Sequence, residues 1–313
     1  MKSTTLALAA WVSTVLAQTP SLSELIASQS DLSTLGQALT FIPDLAKTVS
    51  GLKDITILAP TNAAFESLIL DQGFTAASKE KNYVTSNSTE GIAALIAYHV
   101  LNGTYASTDF SEIPTYHNSL LTPALTVDGN ALTNVTKGQN VGLVLNGKNA
   151  TILNGDLLTA NVVQADITTI PGITIHKIDH VLTIPSNIST EFPKLQKVGV
   201  DAAVGALSQA KLVDTVDTVA DLTIFVPNNA AFRNAKSALA NASIEDVTSL
   251  LTYHAIAGAV VFASDITNGS VKTINGEEVT LNVGTDGSVY VDNAKVVLPN
   301  ILLSNGVAHI IDT

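Results

Sequence analysis

Cysteine is absent from all 313 residues. That excludes thiol nucleophiles, disulfide exchange and cysteine-ligated metals. It leaves export open, because domains of well over about 100 residues bury enough surface without disulfides. Arginine is nearly as scarce: Arg233 stands alone, and the net charge is −12. Nucleic-acid binding needs a clustered basic surface that displaces counterions, so no nucleic acid is expected as a partner. An acidic surface instead favours solubility and attracts anionic membranes only weakly. The sole tryptophan, Trp11, lies in the N-terminal apolar segment. Beyond it there is no indole platform for stacking sugars, a role that the six tyrosines could fill only in part. No stretch approaches the roughly 20 apolar residues of a spanning helix, so no transmembrane span is expected.

The N-terminus reads as a targeting segment. Lys2 precedes an apolar stretch from Leu6 to Leu16, too short to cross a bilayer, and Val15-Leu16-Ala17 then offers small residues at the −3 and −1 positions of a cleavage site. Residues 1–17 are therefore expected to be a signal peptide, removed to leave Gln18. Gln-Thr-Pro follows at once, which disfavours the alternative of a buried first helix.

The remainder repeats itself. Asp54-Ile-Thr-Ile-Leu-Ala-Pro-Thr-Asn-Ala-Ala-Phe65 returns as Asp221-Leu-Thr-Ile-Phe-Val-Pro-Asn-Asn-Ala-Ala-Phe232. Leu95-Ile-Ala-Tyr-His-Val100 returns as Leu250-Leu-Thr-Tyr-His-Ala255, and Gly172-Ile-Thr-Ile-His-Lys-Ile-Asp179 as Asn305-Gly-Val-Ala-His-Ile-Ile-Asp312. The order is the same, so a domain has been duplicated in tandem. Spacing differs: Phe65 to Tyr98 is 33 residues against 21 from Phe232 to Tyr253, and His99 to His176 is 77 against 55 from His254 to His309. Copy one thus carries insertions, expected in loops. The polar stretch near Pro185-Ser-Asn-Ile-Ser-Thr-Glu191 suits a boundary, giving domains 18–185 and 186–313. Copy one runs on through His180-Val-Leu-Thr-Ile-Pro185, whereas the sequence stops at Thr313, so the second domain is read as clipped at its C-terminal end, with a lipid anchor conceivable beyond it.

Within each copy helices come first and strands later, which predicts an α+β fold. Ile55–Leu58 is β-branched and reads as a strand ended by Pro60. Thr61 or Asn62 is expected to cap a helix over 63–69, with Asn228 or Asn229 in that role in copy two. Ile92, Leu95, Ile96, His99 and Val100 recur at helical spacing, as do Val247, Leu250, Leu251 and His254. Ser243 and Asp246 resemble a capping box, and Gly103 and Gly258 are expected to end these helices. Asp128-Gly129, Asn146-Gly147, Asn275-Gly276 and Asp286-Gly287 predict hairpins.

These ordered blocks resemble the fasciclin domain family, over nearly the whole chain beyond the leader and in both copies. The resemblance implies two tandem domains, each a wedge of β-sheet packed with a cluster of helices. It also implies a secreted or cell-surface setting, an adhesive role through cell-surface or matrix proteins or glycans, no cofactor and no enzymatic activity. The composition would fit a fungal member. In some animal members a segment around the Tyr-His pair is implicated in integrin binding, which would carry over to Tyr98, His99, Tyr253 and His254. The competing reading is structural: both histidines fall on the apolar stripe of their helices, where a buried imidazole would be tied to a backbone group.

Other chemistry finds little support. In His176-x-x-Asp179-His180 the two histidines would lie roughly 13 Å apart on a regular strand, too far to share a metal ion. Asp179 and Asp312 are expected to accept backbone hydrogen bonds at a strand end. There is no Gly-x-Ser-x-Gly elbow, and no local pattern marks a glycosidase carboxylate pair. Asn-x-Ser/Thr sequons occur at Asn87, Asn102, Asn134, Asn149, Asn187, Asn241 and Asn268. Asn87, Asn187 and Asn241 are the best glycosylation candidates, with Asn102 expected to be shielded by its helix end. The alternative to adhesion is a small-ligand module for lipid or glycan, which requires a pocket of several hundred Å³.

Overall fold

The computed structural model describes residues 20–71, 89–239 and 242–313. The expected leader and the sequons at Asn87 and Asn241 lie outside the described residues.

The first half runs α1 (Leu22–Ala27), α2 (Ser33–Thr40), α3 (Pro43–Gly51), β1 (Ile55–Pro60), α4 (Asn62–Asp71), α5 (Thr89–Tyr98), β2 (Val100–Asn102), β3 (Thr115–Asn118), β4 (Asn140–Asn146), β5 (Asn149–Leu153), β6 (Thr159–Ile170) and β7 (Ile173–Ile178). The second runs α6 (Asp201–Gln209), α7 (Val213–Thr218), β8 (Leu222–Pro227), α8 (Asn229–Leu239), α9 (Ile244–Tyr253), β9 (Ala255–Ile256), β10 (Gly269–Lys272), β11 (Glu278–Val283), β12 (Val289–Val291), β13 (Ala294–Leu303) and β14 (Gly306–Ile311). The sheet orders are β2-β1-β7-β6-β5-β4-β3 and β9-β8-β14-β13-β12-β11-β10, one topology used twice. In each, the sole parallel pair among these strands joins the first strand to the last, β1 to β7 and β8 to β14.

Those central strands are mostly apolar because both faces are buried. Ile55, Ile57 and Ala59 face a core made with α1, α2 and α3, while Leu58 faces a second core closed by the strands, with Val141, Leu143 and Ile152. Leu222, Ile224 and Val226 turn to helices in the second half, and Phe225 turns to strand residues Val279, Leu281 and Val291. Each fully buried side chain of this size contributes about 1.5–3 kcal/mol. The wedge is therefore a strand threaded between two cores.

Every expected hairpin forms. Asp128 and Gly129 carry positive φ of 51° and 78°, as a tight two-residue turn requires. Asn146-Gly147 joins β4 to β5, and the other two dipeptides join β10 to β11 and β11 to β12. Gly103 and Gly258 do not end helices. A short strand, β2 or β9, intervenes after the Tyr-His pair and pairs with β1 or β8; the glycines turn the chain after it.

The polar doublet after the proline, Thr61-Asn62 in one copy and Asn228-Asn229 in the other, divides its labour. Thr61 Oγ1 and Asn228 Oδ1 cap the following helices, accepting from Ala64 N at 3.3 Å and from Ala231 N at 3.0 Å. The next residue reaches elsewhere. Asn62 Oδ1 accepts from Thr34 N at 2.9 Å, in the first turn of α2, and Asn229 Oδ1 from Ala202 N at 3.0 Å, in the first turn of α6. One asparagine per copy thus staples the helical cluster to the sheet.

Candidate functional site

His99 follows α5 and is buried. Its Nδ1 donates to Leu95 O at 2.8 Å, and its Nε2 accepts from Leu182 N at 2.9 Å. Burial pulls the imidazole down to about 4, against a small opposing effect of the Leu95 carbonyl. Tyr98 is wholly buried; its hydroxyl donates to Asn140 O at 3.1 Å, and burial raises the phenol well above its ordinary range. In the second copy the pair is half-buried. Tyr253 donates to Asp292 Oδ2 at 2.7 Å, and that bond, with burial and the carboxylate's charge, pushes the phenol up to about 12. His254 Nδ1 donates to Leu250 O at 2.7 Å, and burial lowers its ring. Its Nε2 has no protein partner among the described residues.

The second histidine pair is internal in both copies. His176 Nε2 donates to Tyr105 O at 2.8 Å and its Nδ1 accepts from Asp166 N at 3.3 Å. His309 repeats this with Val261 O at 2.9 Å and Asn300 N at 3.3 Å. Asp166 and Asn300 sit at bulges of β6 and β13 with φ of 57° and 64°, so each imidazole clasps a bulge to a loop. Asp179 accepts from Asn161 N at 2.7 Å, and Asp312 from Lys295 N at 2.8 Å. His180 leans on Asp179 at the surface, while both nitrogens of His176 are engaged inside.

A groove lies between the Tyr-His helix and the helical cluster in each half. In the first it encloses about 200 Å³ and is lined by Leu35, Phe41, Phe65, Leu95, His99 and Val181 among others. In the second it opens to about 690 Å³ between Gly205, Gln209, Phe232, Val247, Leu250 and His254, ending at Thr313. The asparagine staples align Thr34 with Ala202, so Gly205 stands where the first copy has Gln37 and Gln209 where it has Phe41. Leu250 is 41% exposed, whereas its counterpart Leu95 is 8% exposed.

The halves meet in a polar seam that sequence reasoning did not foresee. Thr133 Oγ1 donates to Ser304 O at 2.7 Å, and Gln139 Nε2 to Leu303 O at 3.1 Å. Thr136 donates through N and Oγ1 to the Asp221 carboxylate at 2.9 and 2.6 Å. Tyr116 stacks on Phe262 with centroids 3.9 Å apart and planes 5° from parallel. The three polar residues from the first half lie in the connection 119–139 between β3 and β4. The matching connection of copy two is only 273–277. The unequal His-to-His spacing was the available signal.

The seam also sorts the sequons. Asn102, Asn149 and Asn268 are exposed, and Asn187 is half-buried, its Oδ1 capping a short helix through Thr190 N. Asn102 escapes shielding because it ends β2 rather than α5. Asn134 lies in the seam, with Nδ2 on Thr218 O at 3.4 Å and backbone N on Ser304 O at 2.8 Å.

A family model described as the Fasciclin domain matches residues 30–185 and 199–313. A fasciclin-like arabinogalactan protein of Phaeosphaeria nodorum is 30% identical over 93% of this chain and 87% of its own length. Another, of Arthroderma benhamiae, is 28% identical over 93% of this chain, which spans 65% of that protein. A third, of Cercospora beticola, is 28% identical over 82% of the chain and 66% of its own length. Among solved structures, a FAS1 domain pair from the insect cell adhesion molecule fasciclin I covers 89% of this chain and 95% of its own at 16% identity, with a TM-score of 0.37.

Proposed function

The chain belongs to the fasciclin domain family, and from that premise we propose that it is an exported adhesion protein working outside the cell. Its partners are cell-surface or matrix proteins or glycans, met by weak contacts on both domains. The observation that carries this is the family match on both halves, held side by side by the polar seam. The role needs no catalytic step. In this reading residues 1–17 are removed, and the domains span 18–185 and 186–313. No helix among the described residues is long and apolar enough to cross a membrane, which agrees with release from it or with attachment by other means.

The four Tyr-His residues divide in this reading. Tyr98 and His99 serve the framework, because their polar atoms are spent on the protein itself. Tyr253 and His254 are the two that a partner can reach.

Beads coated with the full chain test the proposal. They are expected to aggregate, or to bind intact cells or isolated wall and matrix material, more than beads carrying an unrelated acidic protein. Binding to none of these surfaces would overturn it. Amino-terminal sequencing of the exported product is expected to begin at Gln18. A second reading, a small-ligand module, is favoured by one observation, the open groove of about 690 Å³ in the second half.

A further inference from the structure

We propose that the Asn146-Gly147 junction, at the tip of the β4–β5 hairpin, is a site of spontaneous deamidation, because the fold leaves this Asn-Gly pair free to close on itself and clamps the others. The proposal does not rest on the adhesive reading.

In an Asn-Gly pair the next backbone nitrogen can attack the asparagine side chain, since glycine carries no Cβ to block the approach. The chain has six such pairs, at Asn102, Asn146, Asn154, Asn268, Asn275 and Asn305. The sequence makes them equivalent, and the fold does not. Reaction needs a free carboxamide and a free glycine amide together.

Five pairs are held. Asn305 is wholly buried, with Nδ2 donating to Val216 O and Val219 O at 2.7 Å each. Asn154 Oδ1 accepts from Thr183 N at 3.0 Å, and Gly155 N donates to Thr183 O at 3.0 Å. Asn275 Oδ1 accepts from Glu277 N at 2.9 Å, and Gly276 N donates to Thr273 O at 3.0 Å. Asn268 Oδ1 accepts from Val283 N at 2.7 Å. The Asn102 carboxamide is exposed, but the Gly103 amide that would attack it donates to Asp54 O at 2.8 Å.

At Asn146 neither group is held. Residues 146–149 are all exposed. Asn146 pairs with Asn149 across the strands, which leaves Gly147 and Lys148 as a two-residue loop, with Gly147 at φ of 65°. Neither the Asn146 side chain nor the Gly147 N–H has a protein partner among the described residues.

Gly147 N gives up its proton and attacks Asn146 Cγ. The N–Cγ bond forms as Cγ–Nδ2 breaks, and ammonia leaves with that proton, closing a cyclic imide. Water then opens the ring at either carbonyl. The products are aspartate and an isoaspartyl link in which the main chain runs through Cγ. Water is the sole co-reactant, and nothing is oxidised or reduced. The tip gains a negative charge on a molecule already at −12. The isoaspartyl form also adds a methylene group to the main chain between the paired ends of β4 and β5, outside the core that holds Leu143 and Ile152. The acidic forms accumulate with time, so the hairpin records the age of the molecule.

The test holds the full chain, glycans intact, folded at neutral pH and physiological temperature for several weeks, beside a sample unfolded in guanidinium. Peptide mass spectrometry follows all six pairs, and enzymatic methylation of isoaspartyl carboxylates follows the product. In the folded chain Asn146 is expected to convert at least about tenfold faster than any other pair, since each of those must first give up a hydrogen bond. In guanidinium that lead is expected to vanish at every site without a glycan. N146Q is expected to remove most of the methylation of the folded chain, because the longer side chain closes a ring far more slowly. A folded chain in which another Asn-Gly pair converts first, or in which Asn146 stays intact while the unfolded chain reacts, would overturn the proposal. So would methylation of folded N146Q at the level of the parent.

Discussion

Histidine carries most of the residue-scale logic. His99 and His309 are buried neutral, each held by a carbonyl on one nitrogen and an amide on the other, and burial lowers both to about 4. The unfolded chain takes up these protons near 6.5. Between about 6.5 and 4 the unfolded state therefore binds more protons, and stability falls as pH falls through that window. Each residue is expected to remove about 2 kcal/mol by pH 5. Urea melts at pH 7 and pH 5 measure this; in H99Q the difference between the two pH values should shrink by about that amount, while an unchanged pH dependence would show that His99 is not buried neutral. A second residue-scale expectation concerns glycans. Glycopeptide mass spectrometry is expected to find Asn149 and Asn268 occupied and Asn134 bare, because a sugar on Asn134 Nδ2 would displace the contact with Thr218. At this scale the sequence was legible where partners are local. The Asp246 capping box and the helix caps at Thr61 and Asn228 follow from side chains reaching amides two or three residues away. Asn62 was not legible in the same way, because its partner, Thr34, is 28 residues distant.

Elements were readable in proportion to their length and punctuation. The hairpins followed from Asx-Gly dipeptides, and α5 and α9 from apolar spacing, since turns and helical faces are local properties. β2 and β9, of 3 and 2 residues, show no alternation to read; they exist because β1 and β8 offer an edge to pair with. The parallel pairs were hidden too, since the partners lie over a hundred positions apart in copy one and roughly eighty in copy two. One of these contacts depends on a missing side chain. A Cβ on Gly306, where φ is 158°, would stand 1.8 Å from Leu222 O. G306A is expected to lose about 3 kcal/mol or more, because backbone must separate across β8 and β14. Thermal denaturation checks this, and a melting temperature within a degree or so of the parent would show that the strands can part at little cost.

For the whole molecule, duplication was visible because three blocks return in order, but the way the halves meet was not. Gln139, Thr133 and Thr136 look like ordinary loop polars until the second half is laid against them. The Tyr116–Phe262 stack is expected to be worth about 0.5–1.5 kcal/mol beyond its buried area. A double-mutant cycle with Y116A and F262A, read by denaturant melts, measures that coupling; a value near zero would mean that the rings touch without holding the halves together.

The seam has a mechanical consequence. Pull on the ends of two beads joined by a loose string, and the string straightens first. Here Ser304 and Asp221 are gripped by Thr133 and Thr136, so tension applied across the two halves would load the grip itself. In the adhesive reading proposed above, the pair is expected to act as a stiff strut that yields by losing the grip rather than by gradual extension.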